Sequence, residues 1–281
     1  MSFDSYEKAG ISVSQSYFTV SDGVELSVTA FEPPQINPQT PTLVFVPGWI
    51  SLLSGWHEVL GQLCPCCRVL YIETREKKSA RLPSLKREFT VERMADDILE
   101  AVDALVPQDA PFCYAASSLG ATVVLEVMSR QTRAPKAAML VGPIARMHFP
   151  AAGLAFARIL HPSLFFVFKP WLKWYLANIR CDKKKEPEQV AKYFATIDAA
   201  EPARLKKNAF AIRHYSLWEK LPAIGAPVTI FGAKTDKVHG LETLEKIAAA
   251  LPAGRLEVLE SNKETHSERC GRIMAQIIAR V

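Results

Sequence analysis

Two serines stand side by side in PFCYAASSLGATVV, residues 111–124, between an apolar run and a run of small residues. A serine hydroxyl is a poor nucleophile until a base takes its proton. Chemistry at such a residue needs a histidine, a carboxylate to orient that histidine, and N–H donors for the oxyanion that develops. It also needs a sharp strand-to-helix turn, which demands small residues two positions to either side of the nucleophile. Centred on Ser118 those flanks are Ala116 and Gly120; centred on Ser117 they are Ala115 and Leu119, and leucine would crowd the turn. Ser118 is the candidate nucleophile.

The elements that must position it follow from pattern. QSYFTVSDGVELSVTAFEPP reads as two strands joined by Asp22-Gly23, a hairpin turn pair. TLVFVPG, RVLYIET and FCYAAS are continuous apolar runs of the kind buried on both faces, and AAMLVG, VTIFGA and RLEVLE complete the series. Val91, Met94, Ile98, Val102 and Leu105 recur at helical spacing behind Thr90, a helix N-cap. LGATVVLEVMSR, LETLEKIAAAL and RCGRIMAQIIARV are further helices. Strands alternating with helices predict an α/β chain with a mostly parallel central sheet covered on both faces. Residues 143–222 break the rhythm with helical, aromatic and basic sequence. They read as an inserted helical cap between core segments 1–142 and 223–281.

Composition sets limits. The 281 residues suffice for one such core plus an insertion, and the net charge of +5 is scattered, without a nucleic-acid reading motif. The N-terminal stretch shows no secretory signal and no run spans a membrane, so the expectation is a cytoplasmic protein. The six cysteines, Cys64, Cys66, Cys67, Cys113, Cys181 and Cys270, are expected as free thiols. CPCC lacks a second pair or a histidine at ligand spacing and reads as packing before a strand, so neither metal nor cofactor is expected.

With Ser118 between strand and helix, the chain outside the insertion resembles the α/β-hydrolase superfamily, whose nucleophile elbow is Gly-x-Ser-x-Gly; Ala116 stands for the first glycine. The resemblance implies the chain order serine, acid, histidine. Asp236 follows VTIFGAKTD at a usual place for the acid, and PIARM, at the other usual place, has no carboxylate. His266, after the last strand in LEVLESNKETH, is the expected base. His239 is the rival, but it shares the loop of Asp236, and a three-way arrangement with Ser118 looks awkward. The oxyanion hole is expected from the backbone N–H groups of Leu119 and Trp49, the latter in Pro47-Gly48-Trp49 where relatives read His-Gly-x. In the following loop Glu73 and Arg75 are expected to pair and brace the chain, while Glu76 and Lys78 stand where many relatives have glycine.

The resemblance implies a serine hydrolase that cleaves a hydrophobic carboxylic ester through an acyl-serine. A thioesterase, a monoacylglycerol lipase or an acyltransferase would use the same triad, and a hydrolase-fold binding protein with a dead site is the reading from another class. Residues 148–179 are rich in aromatic and aliphatic side chains, with Phe165, Phe166 and Trp171 as candidates to line a substrate pocket. The same residues could pack the cap onto the core. Because Arg158, Lys169 and Lys173 interleave with them, they also fit a face that touches a membrane.

Overall fold

The computed structural model describes residues 3–37, 39–130, 132–147, 149, 151–159, 161–175, 178, 187–236 and 239–281. Eight strands form one sheet in the order β1-β2-β4-β3-β5-β6-β7-β8. β1 (Ser12–Thr19) and β2 (Glu25–Glu32) form the expected hairpin, with Gly23 at φ 81° in its turn, and β2 pairs antiparallel with β4 (Arg68–Ile72). The remaining neighbours, β3 (Thr42–Val46), β5 (Phe112–Ser117), β6 (Ala138–Val141), β7 (Val228–Ala233) and β8 (Gly254–Leu259), run parallel.

Successive side chains of a strand face opposite sides of a sheet, and both sides here are apolar. Val44, Val46, Tyr114 and Ala116 face one cluster, with α3 (Val91–Leu105), α4 (Ser118–Ser129) and α9 (Leu241–Ala250) packed on it. Leu43, Phe45, Cys113 and Ala115 face the other, covered by α2 (His57–Leu63) and α10 (Glu268–Ile278). That double burial is why the parallel strands read as unbroken apolar runs. Thr90 caps α3 as expected, its Oγ1 accepting the Arg93 N–H at 3.2 Å. The short α1 (Asp4–Lys8) precedes the sheet. Cys64, Cys67, Cys113 and Cys270 are buried free thiols and Cys66 is exposed; Cys181 lies outside the described residues.

Between β6 and β7 lie α5 (Ala151–Ile159), α6 (Leu164–Tyr175), α7 (Pro187–Ala199) and α8 (Pro202–Ile212), with no strand among the described residues. The helical, aromatic and basic reading of 143–222 falls partly on residues 179–186, outside those described. The segment leaves and returns at one place: Met147 N–H donates to Tyr215 O, and Leu217 N–H to Ala145 O at 2.7 Å.

The expected Glu73–Arg75 brace is not made. Arg75, fully buried, instead spans the molecule from Asp22 in the β1–β2 turn (2.9 Å) to Asp97 on α3 (2.5 Å). Burial alone would weaken its proton affinity; the bonds to Asp97 and Asp22 outweigh that and hold it above the usual arginine range.

Candidate active site

β5 runs straight into α4, and Ser118 sits at the junction with φ 47°, a left-handed conformation few side chains adopt. The turn is tight because α4 starts against the end of β3. A Cβ at Gly120 would lie 2.3 Å from the Val46 carbonyl oxygen, so only glycine fits there. Ala116, by contrast, is accommodated and buried, which is why the first glycine of the elbow is dispensable.

Ser118 Oγ lies 3.1 Å from His239 Nε2, and His239 Nδ1 lies 2.7 Å from Asp236 Oδ2. A carboxylate at Nδ1 fixes the tautomer: Nδ1–H donates to Asp236, leaving Nε2 to accept the Ser118 hydroxyl proton. The structure therefore places Ser118 and Asp236 on either side of His239, and His266 is not part of this chain of contacts. The awkwardness of acid and base on one loop is relieved by a turn. Asp236 Oδ1 accepts the His239 backbone N–H at 3.2 Å, folding the loop so that both groups point at the serine. Gly142, just after β6, makes the space. It sits at φ 56°, and a Cβ there would come within 2.9 Å of the imidazole. That glycine was the one sequence signal for a side chain passing close to the end of β6.

His266 makes other contacts. Its Nδ1 is 2.9 Å from Thr265 Oγ1 and 3.3 Å from the Asn262 carbonyl, and its ring lies 4.2 Å from that of Trp56.

Ser117 also has a place. Its Oγ accepts the Gly48 N–H at 2.8 Å, tying the loop after β3 to the elbow. Gly48 to Ser51 form a turn closed by Ser51 N–H on Gly48 O, with Ile50 at φ 56°. Among the described residues the Trp49 N–H makes no backbone hydrogen bond, and the Leu119 N–H lies in the first turn of α4, which offers it no intrahelical carbonyl. The Trp49 ring meets Phe149 edge-on.

Sequence reasoning passed over Lys77. It is buried, and its ammonium donates to Gly48 O at 2.8 Å and Ser51 O at 2.7 Å, the two ends of that turn. Burial holds its proton affinity below the ordinary lysine range. Since Gly48 O and Trp49 N–H belong to one planar peptide, Lys77 fixes the direction of that N–H and polarises it.

Of the aromatic pocket candidates, Phe165 is half-buried, but Phe166 and Trp171 face outward on α6, so the structure does not turn those two toward the serine. A chamber of about 290 Å³ instead lies beside the loop after β3, lined by Ile50, Leu52, Lys77, Glu201 and Leu205 among others. Among the described residues no cluster of His, Cys, Asp and Glu could hold a metal, and no helix is long and apolar enough to cross a membrane.

A mostly parallel eight-stranded sheet with a strained serine between its fifth strand and the following helix defines the α/β-hydrolase fold. The sequence profile of the alpha/beta hydrolase family matches residues 43–269, and the chain belongs to that family. No curated protein matches it by sequence. Among solved structures it is similar to a hydrolase from Pseudomonas aeruginosa PA01, with 21% identity, TM-score 0.71, and 95% of this chain and 97% of that one covered. It is also similar to a thermophilic esterase from Thermogutta terrifontis, with 16% identity, TM-score 0.75, and 95% and 98% covered. The enol-lactonase from Burkholderia xenovorans LB400 is similar too, with 21% identity, TM-score 0.75, and 94% and 100% covered. At these identities the structural likeness shows the fold. Membership of the family supports a hydrolase activity.

Proposed function

We propose that the chain is a serine hydrolase that cleaves carboxylic esters through an acyl-serine intermediate. The observation that carries this reading is the unbroken chain from Ser118 Oγ through His239 to Asp236. His239 Nε2 takes the proton as Ser118 Oγ attacks the ester carbonyl, and Asp236 stabilises the imidazolium that forms. The tetrahedral oxyanion is met by the N–H groups of Trp49 and Leu119, the former aimed by Lys77. The imidazolium then gives its proton to the leaving alkoxide, releasing the alcohol. Water, deprotonated by the same histidine, attacks the acyl-serine and frees the acid. No cofactor enters these steps.

Esters are preferred over other acyl compounds because an esterase and a lactonase are among the similar structures, both acting on the C–O bond of an acyl group. A hydrophobic acyl or alcohol group suits the aliphatic side chains of Ile50, Leu52 and Leu205 in the neighbouring chamber, with each buried methylene contributing about 0.8 kcal/mol. Turnover of p-nitrophenyl esters of graded acyl length, by wild type and Ser118→Ala together, tests the reading. The expected result is a fall in kcat of at least ~10³-fold in the variant with folding intact. Retained turnover would refute it. A fluorophosphonate probe should label Ser118, whereas a binding protein with a dead site would stay unlabelled.

A further inference from the structure

Helix α6 is amphipathic the wrong way round for a soluble cap. Its basic side chains face the protein: Lys169 and Lys173 pair with Asp198 of α7 at 2.8 and 2.7 Å, and Lys173 also lies over the Phe194 ring. Apart from the half-buried Phe165, its described apolar side chains face out. Val167, Phe168, Trp171 and Trp174 are 69, 52, 59 and 56% exposed, and Phe166 and Leu164 lie beside them, as does Ile159 at the end of α5. Seven of the twelve large hydrophobic residues exposed among those described thus fall between positions 159 and 174. Single exposed apolar residues need no explanation, but a contiguous patch of this kind marks an interaction surface.

Charge selects the occupant. Residues 151–175 contain Arg158, Lys169 and Lys173 and no acidic residue. Lys206 of α8 donates to the Arg158 carbonyl, which sets Arg158 and Lys206 at the α5 end of the patch, while Lys169 and Lys173 on the inner side of α6 outnumber the one carboxylate they pair with, Asp198. A second copy of the chain would set this positive rim against itself. An anionic surface would be attracted to it, and a lipid surface also takes up the aromatic face. Tryptophan and phenylalanine ringed by Lys and Arg are the composition of helices that lie in the membrane interface plane. We infer that α5 and α6 form a docking surface for an anionic lipid bilayer, with Val167, Phe168 and Trp174 entering the headgroup boundary and Arg158 and Lys206 at the phosphates. This surface stands independently of the ester reading.

Sedimentation of the full chain with phosphatidylglycerol vesicles, and with phosphatidylcholine vesicles as the uncharged comparison, tests the inference. Wild type is expected to partition onto phosphatidylglycerol, more weakly onto phosphatidylcholine, and to lose affinity as salt is raised. The Val167→Ser, Phe168→Ser, Trp174→Ser triple variant, whose changes are all on exposed positions, should partition at least ~10-fold less. It should keep the melting temperature and the turnover of a water-soluble short-chain ester. Ser118→Ala should bind vesicles as wild type does, which separates a failure of the catalytic reading from a failure of this one. Equal partition of wild type and triple variant would overturn the inference. So would a wild-type dimer that the triple variant disperses, since the patch would then be a protein interface.

Discussion

A histidine held between a carboxylate and a serine acts as a base only if its ring is presented in one tautomer, and here the Asp236–His239 turn does the presenting. His239→Ala should lower kcat for a soluble ester by at least ~10³-fold. His266→Ala, which removes a ring packed on Trp56, should leave kcat within an order of magnitude; the reverse pattern would assign the base to His266. Ser118 was legible because the steric demand of the elbow falls on its immediate neighbours. The approach of His239 to Ser118 was not, because chain order points past the last strand and says nothing of a loop that doubles back within three residues. Lys77 was hidden for another reason: its acceptors are main-chain carbonyls 26 and 29 positions away, and no side-chain pattern records them. Lys77→Met is expected to lower kcat by about 10- to 100-fold with little change in KM, as a misaimed oxyanion donor should. A proton affinity lowered by burial gives a further test. As pH rises through the folded-state value, Lys77 loses its charge and kcat should decline, an alkaline limb absent from the methionine variant. Stability from the same group moves the other way. The folded state binds this proton less tightly than the unfolded chain, so it gains on the unfolded chain over that pH range. Opposed trends in rate and stability mark a positioning role; parallel trends would indicate a structural one.

At the scale of elements, the strands and the helices α3, α4, α9 and α10 could be read from apolar runs and spacing, because the sheet is buried on both faces. The brace between them could not. Arg75 was expected to pair within its own loop; it reaches Asp22 and Asp97 instead, since a buried guanidinium must be paired and have its N–H groups satisfied, which these carboxylates and the Glu88 carbonyl do together. Replacing Arg75 by methionine would leave Asp97 buried with only Arg93 for company and should cost about 3–5 kcal/mol, read as a fall in the urea midpoint. A second brace joins the elbow helix to the base of the insertion: Glu126 on α4 accepts from Tyr215 Oη and Lys220 Nζ, both at 2.6 Å. Burial works against the Glu126 charge, but these bonds prevail and hold its carboxyl below the usual glutamate range. The stability it contributes is therefore present above the ordinary carboxylate range and lost as pH falls through the lowered value. Tyr215→Phe should cost about 1 kcal/mol at neutral pH, and acid unfolding should begin at a higher pH in that variant.

Across the whole molecule, the core and the insertion are held by different means. The two large apolar clusters draw on the strands and on α2, α3, α4, α9 and α10, whereas the buried Val190, Ile197 and Ala200 of the insertion belong to neither. α8 reaches the core through Ile212, which joins the first cluster, and through polar contacts: Arg204 donates to the Lys77 and Ala80 carbonyls, and Asn208 to Phe89 O at 2.7 Å. Hydrogen bonds of this kind contribute little net stability each, about 1 kcal/mol, while burial of a core leucine contributes several times more. The α7 part of the insertion should therefore open without unfolding the core. Native-state hydrogen exchange checks this directly: amides of α7 are expected to exchange through an opening of lower free energy, and lower denaturant dependence, than those of β5 and α4. Leu60→Ala, in the core, should lower the stability of the slow amides by about 2–5 kcal/mol and leave the α7 opening unchanged. Asn208→Ala should do the reverse, speeding exchange in α7 and α8 alone. If both variants shifted every amide together, core and insertion would be one cooperative unit, and the loop that carries Lys77 could not be loosened by substrate entry without risking the fold.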